Sequence, residues 1–200
     1  MEKYDVIIIG GGPAGLTCAL TLASANGKFP FVEGKKYLVL YDEYSDLDKA
    51  FLRNVPGVEA IEGKKFLQKI REQLKQYYNV TQSQEKVIKA YGEKGNFVVE
   101  TEKGNKYSGD YLVIATGFHK FEIEGLDVEV VPHRKSPRPG KIMIKNDDGK
   151  VKEGLFVAGL VAGAPTMFAS ASGSGAEVAC DILSEWAGKT VVVHDVPESD

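Results

Sequence analysis

Apolar residues recur along the chain in two arrangements, which predict strands and helices in alternation. Short unbroken apolar runs predict strands at residues 6–9, 37–41, 111–115, 142–144 and 155–158. The strand at 6–9 is expected to be buried on both faces, and the strand at 111–115 to be buried as well. Apolar positions at helical spacing predict helices over residues 13–24, 63–78 and 169–186. Strands that alternate with helices are typical of an α/β fold with a central parallel sheet.

The middle of the chain follows a different period. Residues 87–91, 97–101 and 106–107 alternate between apolar and polar side chains, and glycine-containing turns separate them at 92–95 and 104–105. This pattern predicts a small antiparallel meander added to the parallel sheet. The turn-rich residues 26–36 are interpreted as an insertion, and residues 132–140 as a proline-rich loop.

The first predicted strand runs directly into a glycine-rich turn. Gly10, Gly12 and Gly15 fill the pattern G-x-G-x-x-G, and Pro13 and Ala14 open the helix that follows. The first glycine permits a tight turn, the second allows the backbone to approach a pyrophosphate, and the third lets the helix pack closely on the strand. The free N–H groups at the helix start favour an anion. The sequence therefore predicts a dinucleotide site, and the alternative is a tight turn without a ligand.

An acidic pair follows the second strand. In dinucleotide-binding folds an acid at this place binds ribose hydroxyls, usually about 20 residues after the glycines. Asp42 lies more than 20 residues after the last motif glycine, and the insertion at residues 26–36 accounts for the longer spacing. Asp42 is the preferred ribose ligand and Glu43 the alternative; a solvated acid at a strand end remains a third interpretation.

Composition narrows the function classes. The 200 residues carry a formal net charge of −3 and are 43% hydrophobic, which favours neither disorder nor nucleic-acid binding. No apolar run reaches the length of about 18 residues that a membrane span needs, and the first strand starts too early to leave room for a signal peptide. We therefore expect a cytoplasmic protein with one domain over residues 1–200 and a flexible tail at 194–200.

Cysteine and histidine chemistry is sparse. Cys18 and Cys180 lie far apart in apolar helical patterns without a C-x-x-C, which predicts buried thiols and no dithiol centre. The histidines, His119, His133 and His194, have no metal-ligand spacing, so no metal site is expected.

Four further motifs narrow the interpretation, and they occur in a fixed order with the glycine turn. They are Arg-Asn-Val-Pro-Gly at 53–57, Tyr-Leu-Val-Ile-Ala-Thr-Gly at 111–117, Gly-Leu-Phe-Val-Ala-Gly at 154–159 and Ser-Ala-Ser-Gly-Ser-Gly at 170–175. Together they resemble the FAD-binding domain of the thioredoxin reductase family, which belongs to the flavoproteins with two dinucleotide-binding domains. The resemblance covers nearly the whole chain and implies a Rossmann-like fold with bound FAD.

The resemblance implies a role for each matching position. The pyrophosphate would be held by the glycine turn, and the adenosine ribose by Asp42. Asn54 would lie near the flavin or ribityl chain, and the backbone at Lys86 and Val87 near the adenine. The remaining implied cofactor contacts come from the last three motifs and their flanks, namely Thr116, Gly117, Gly159, Leu160, Met167, Phe168 and Ala169.

Two departures from the family are visible. Leu160 stands where the family has an Asp that bonds the ribityl or phosphate part. Between Gly117 and Leu155 the family inserts an NADPH-binding domain with a C-x-x-C, whereas here loop 118–141 is too short for one. The chain therefore resembles the FAD half standing alone, with one flavin face open to NAD(P)H or to a redox partner protein.

Three functions remain open. The first is a small FAD-dependent oxidoreductase whose catalytic residues and substrate the sequence does not identify. The second is a non-catalytic FAD-binding or electron-transfer subunit, and the third is NAD binding in a simple Rossmann domain. In the proline-rich loop, Arg134, Lys135 and Arg138 could contact a phosphate or an acidic partner, or could belong to a solvated linker. A homodimer is a further open alternative.

Overall fold

An eight-stranded sheet organises the chain in the computed structural model, which describes residues 1–194. The strands are β1 (Glu2–Ile9), β2 (Tyr37–Tyr41), β3 (Phe51–Leu52), β4 (Ile61–Glu62), β5 (Val80–Gln84), β6 (Val87–Tyr91), β7 (Phe97–Thr101), β8 (Lys106–Ile114), β9 (Val130–Pro132), β10 (Ile142–Ile144), β11 (Lys150–Lys152) and β12 (Leu155–Val157). The helices are α1 (Pro13–Ser24), α2 (Gly63–Leu74) and α3 (Phe168–Ala187).

The sheet combines a parallel centre with an antiparallel extension. Its order is β11-β12-β8-β1-β2-β5, and every pairing from β12 to β5 is parallel. The hairpin β6–β7 joins through β7, which pairs antiparallel with the first half of β8. The predicted α/β class, the parallel sheet and the antiparallel meander are therefore confirmed.

Both faces of the parallel strands are buried because alternate residues pack against different layers. Val6 and Ile8 of β1 lie in a cluster with residues of the three helices. Ile7 and Ile9 lie in a second cluster with residues of the meander. This double burial explains why the central strands read as continuous apolar runs.

Two predicted strands, 106–107 and 111–115, are one strand, β8. Gly109 lies between them, and a Cβ at this position would come within 2.9 Å of Ile7 Cγ1. The small residue interrupts the apolar pattern of the sequence without interrupting the strand. β8 thus belongs both to the meander and to the centre of the sheet.

Other boundaries differ from the prediction where polar residues form regular structure. Helix α2 ends at Leu74 rather than at residue 78, because the chain turns there to enter β5. Strand β5 was not predicted, since its sequence Val-Thr-Gln-Ser-Gln is polar and it forms the sheet edge. Residues 26–36 contain a 3₁₀ turn at Pro30–Val32, which buries Val32 in the core.

Short ribbons complete the described structure. β3 pairs with β4, and β9 pairs with β10, both antiparallel. Within residues 1–194, no helix combines the length and the apolar character needed to cross a bilayer. Most of the tail predicted to be flexible, residues 195–200, lies outside the described residues.

Candidate functional site

A cleft of about 520 Å³ opens at the carboxyl ends of the parallel strands. Its wall includes the residues that follow β1, β2, β5, β8 and β12. In open α/β sheets ligands bind at this edge, where loops from several strands converge. The fold therefore gathers segments that are distant in sequence around one cavity.

The glycine loop has distinct steric requirements at its three motif positions. Gly10 has φ +133°, and a Cβ there would collide with the Ala115 carbonyl. A Cβ on Gly15 would collide with the Gly10 carbonyl, so this glycine permits the close approach of α1 to the loop. A Cβ on Gly12 meets nothing nearer than Ser45 Oγ at 3.6 Å. Gly12 alone of the three thus leaves space beside the backbone, and it lines the cleft.

Two helix starts face the cleft without neutralising groups of their own. α1 begins after Gly12 and α3 after Met167, and neither N-cap side chain accepts a hydrogen bond from the helix. No acidic residue lies in the first turn of either helix. Unpaired N–H groups and the positive ends of the helix dipoles therefore favour an anion at these positions.

Arg71 on α2 supplies a cation beside the glycine loop. Its Nη2 donates a hydrogen bond to the Gly11 carbonyl at 3.3 Å, and its guanidinium lies 4.7 Å from the centre of the Tyr41 ring. The Arg71 carbonyl in turn accepts a hydrogen bond from Gln82 Nε2 at 3.1 Å. Arg71 Nε is buried and unpartnered, and no carboxylate in residues 1–194 forms an ion pair with this side chain.

Glu85 supplies a carboxylate on another part of the wall, and its side chain is fully hydrogen bonded. The residue is 6% exposed, and its oxygens accept hydrogen bonds of 2.7–2.9 Å from Ser83, Tyr107, Thr101 and Asn105. Burial alone would raise the pKa of this carboxyl, but the four donors outweigh it and lower the pKa to about 2. These four hydrogen bonds fix the segment that enters β6, where Lys86 and Val87 border the cleft.

A polar bridge joins two further segments of the wall. His119 Nε2 lies 2.8 Å from both carboxylate oxygens of Asp46. Lys141 Nζ donates to His119 Nδ1 at 2.7 Å, which leaves Nε2 as the atom that carries a hydrogen toward Asp46. Phe118 packs edge-on against the buried His133, so the loop after β9 is attached to the segment that follows β8.

Most residues predicted to contact a cofactor border this one cleft. They are Gly10, Gly12, Pro13, Ala14, Asp42, Asn54, Lys86, Val87, Thr116, Gly117, Leu160, Met167 and Phe168. Gly15, Glu43, Gly159 and Ala169 are not among the lining residues. Of the two candidate acids after β2, Asp42 faces the cleft and accepts a hydrogen bond from the Glu43 N–H at 2.7 Å.

Sequence reasoning missed several residues of the wall. Arg71, Glu85, Asp46 and His119 all lie in it, and so does the exposed side chain of Tyr44. His119 follows the Ala-Thr-Gly motif, and Glu85 precedes Lys86. Because these neighbouring residues were predicted to contact the cofactor, the sequence did indicate that His119 and Glu85 lie near the site. Arg71 had no such signal, because a single arginine at the border of the apolar stripe of an amphipathic helix is ordinary.

The cysteines lie away from the cleft wall. Cys18 lies on α1 and is buried, and Cys180 lies on α3 and is partly buried. Burial raises the pKa of both thiols, which disfavours the reactive thiolate. Both are free, and no group of three or more metal-ligating side chains occurs within residues 1–194.

Comparison with protein families and curated sequences finds clear relatives. The family model described as pyridine nucleotide-disulphide oxidoreductase matches residues 4–175. A ferredoxin–NADP reductase of Lactiplantibacillus plantarum is 29% identical over 132 residues, which are 64% of this chain and 38% of the relative. A ferredoxin–NADP reductase of Ignicoccus hospitalis is 34% identical over 116 residues, which are 56% of this chain and 36% of the relative. The chain thus spans less than two fifths of the length of these two curated relatives.

Solved structures share the fold. An oxidoreductase from Agrobacterium tumefaciens superposes with a TM-score of 0.74 at 16% identity, covering 93% of this chain and 99% of that one. A thioredoxin reductase from Gloeobacter violaceus superposes with a TM-score of 0.73 at 15% identity, covering 98% and 100%. At these identities the likeness establishes the Rossmann-like architecture alone.

Proposed function

Because the chain belongs to the pyridine nucleotide-disulphide oxidoreductase family, we propose that it is a small oxidoreductase that uses the cleft at the carboxyl ends of its strands. Its cofactor is FAD. When bound, FAD supplies the redox chemistry, and the protein contributes binding and orientation. The observation that carries the proposal is the convergence of the glycine loop, Asp42, Asn54 and the Ala-Thr-Gly segment on one cavity.

The residues present fit a flavin dinucleotide. The open space beside Gly12 admits a group against the backbone, and the uncapped start of α1 favours a diphosphate there. Asp42, which faces the cleft where Glu43 does not, would bind the adenosine ribose. The backbone at Lys86 and Val87 would meet the adenine, and Asn54, Thr116 and Gly117 would border the rest of the cofactor.

The flavin end would lie between the last two motifs. Met167 and Phe168 line the cleft at the start of α3, whose N–H groups would face the flavin, and Ala169 would add a further N–H in that turn. Leu160 would offer only an apolar contact. Gly159 would act through packing, since its φ is +75° and a Cβ there would come within 2.7 Å of Ala14 Cβ.

The proposed reaction would proceed without a C-x-x-C dithiol or a second dinucleotide-binding domain between Gly117 and Leu155. Residues 118–141 form a loop with one short ribbon strand, and the sequence contains no C-x-x-C. Residues 1–200 would act as one FAD domain in the cytoplasm. NADH, NADPH or a reduced partner protein would reach the flavin on the side that loop 118–141 leaves open.

A second candidate function is an electron-transfer subunit without turnover of its own. The loop after β9 favours it, because the side chains of Arg134, Lys135 and Arg138 form no ion pair within residues 1–194. Three cations without an ion pair in the described chain would suit an acidic partner protein. Arg134 and Lys135 line a second pocket and not the cleft itself. A homodimer in which a second copy covers the open side is an alternative arrangement.

Anaerobic titration tests the proposal. The purified chain should carry or take up FAD, with flavin absorption at about 450 nm, and added NADH or NADPH should bleach that absorption. Bleaching by dithionite but by neither nucleotide would instead favour the electron-transfer subunit. A chain that binds NAD but not FAD would contradict both.

A further inference from the structure

We propose that Arg71, which α2 presents to the cleft, is the charge partner of the cofactor diphosphate. The inference rests on the proposed function, since it concerns the same cleft. It assigns a binding role to a residue on an amphipathic helix that carries no nucleotide motif.

The first observation is that Arg71 is an uncompensated charge. Its guanidinium is partly withdrawn from water, its Nε is buried without a partner, and no carboxylate in the described chain pairs with it. Withdrawing a cation from water is costly unless an opposite charge offsets it. Asp42, Asp46 and Glu85 line the same cleft, yet none of them forms this pair.

The second observation is that two contacts hold the guanidinium and a third fixes the backbone that carries it. Nη2 donates to the Gly11 carbonyl, and the guanidinium carbon lies over the Tyr41 ring. Gln82 Nε2 donates to the backbone carbonyl of Arg71. These contacts use one of the five N–H donors of the guanidinium, and Arg71 lines the cleft. A fixed arginine fork suits a phosphate better than a mobile ammonium does.

The third observation is the neighbourhood. Arg71 touches the carbonyl of the residue before Gly12, so it stands at the start of α1, where the unpaired N–H groups point. Helix start and guanidinium together offer two positive groups around the only motif glycine with open space beside it. A diphosphate is the part of a dinucleotide with the charge to match both.

The experiment compares ligands that differ in the diphosphate. FAD, ADP and adenosine are titrated against the full chain and its Arg71→Gln and Lys69→Gln variants, the second of which removes an exposed cation from the same helix. Arg71→Gln should weaken FAD and ADP by about tenfold to a hundredfold and leave adenosine within about twofold. Lys69→Gln should leave all three within about twofold.

The outcomes separate the claims. Equal weakening of ADP and adenosine, or an ADP loss no larger than in Lys69→Gln, would overturn the role of Arg71. A wild-type chain that binds neither FAD nor ADP would overturn the proposed function as well. If Arg71→Gln does not fold, Arg71→Lys decides: its ADP-to-adenosine affinity ratio should fall several-fold because the fork is lost, and an unchanged ratio would contradict the proposal.

Discussion

Glu85 and Arg71 are two charged groups on one cleft wall, and they are treated in opposite ways. Glu85 is nearly inaccessible and accepts four hydrogen bonds from its own chain. Arg71 has a buried nitrogen without a partner and no ion pair within residues 1–194. The hydrogen bonding of the carboxylate is complete without a ligand, whereas that of the guanidinium is not.

The difference separates architecture from binding. A fully hydrogen-bonded buried charge stabilises its surroundings and has little left to offer a ligand. An incompletely paired charge lowers the stability of the free protein and gains when an anion binds. Substitutions on the Glu85 side should therefore act on folding, and substitutions on the Arg71 side on the cofactor.

The most severe way to break the comparison is to fill the space beside the glycine loop. Gly12→Val places a side chain where the backbone now has none, and nothing in the protein lies nearer than 3.6 Å to its Cβ. We expect FAD affinity to fall by more than about a hundredfold while the thermal midpoint of the apoprotein stays close to wild type. Equilibrium dialysis and a melting curve measure the two.

Gly173→Val is the matched control for this substitution. It adds the same side chain on an exposed turn of α3 with no atom within 4 Å, and it should keep FAD binding. Undiminished FAD affinity in a folded Gly12→Val protein would show that the loop has only a structural role.

Removing the fully hydrogen-bonded carboxylate of Glu85 should lower the stability of the fold instead. Glu85→Ala leaves four donors without their acceptor, so we expect the free energy of unfolding to fall by about 3 kcal/mol. Urea denaturation measures it, with Glu102→Ala as an exposed carboxylate control that should change it by less than about 0.5 kcal/mol. An equal loss of unfolding free energy in the two variants would contradict a stabilising role for the four hydrogen bonds to Glu85.

Acid should reverse the contribution of Glu85 without a mutation. Its pKa is lowered from 4.5 to about 2, so the folded state holds the ionised form more tightly than the unfolded state does. The stabilisation is therefore complete above about pH 4.5 and is lost as the pH falls toward 2. Urea midpoints of wild type should drop more steeply over this range than those of Glu85→Gln, and parallel curves would argue against it.

The smallest effect is expected from the two cysteines, Cys18 and Cys180, which lie outside the cleft wall that holds Glu85 and Arg71. Burial raises the pKa of both thiols. The double variant Cys18→Ala, Cys180→Ala should keep FAD affinity within about twofold. Neither it nor the parent should reduce a protein disulfide with NADPH, as measured by thiol release. A reductase activity that is present in the parent and lost in the variant would reveal a dithiol centre.

The sequence predicted the features whose cause is local. The glycine turn, the apolar runs of β1 and β2 and the acid after β2 lie within one stretch of chain, and their steric requirements are visible in the residue types. Gly117 and Leu155 bracket too few residues for a second nucleotide domain, which was also visible. Those features place one edge of the parallel sheet and hence the cleft.

Features that depend on distant partners could not be predicted in this way. Arg71 meets the glycine loop across 60 positions of sequence, and no pattern in α2 records that encounter. The donors to Glu85 come from three strands and a turn. Strand β5 escaped because its polar side chains suit an edge position that only the assembled sheet defines.

β8 has a consequence for how the molecule unfolds. One continuous strand pairs with β7 through its first half, with β12 through its second half and with β1 along most of its length. The meander that carries Lys86 cannot detach without breaking a hydrogen-bond ladder of the central sheet. Amide protons of Tyr107 and Val113, at opposite ends of β8, should therefore exchange with solvent deuterium at a common, slow rate, as members of one cooperative unit.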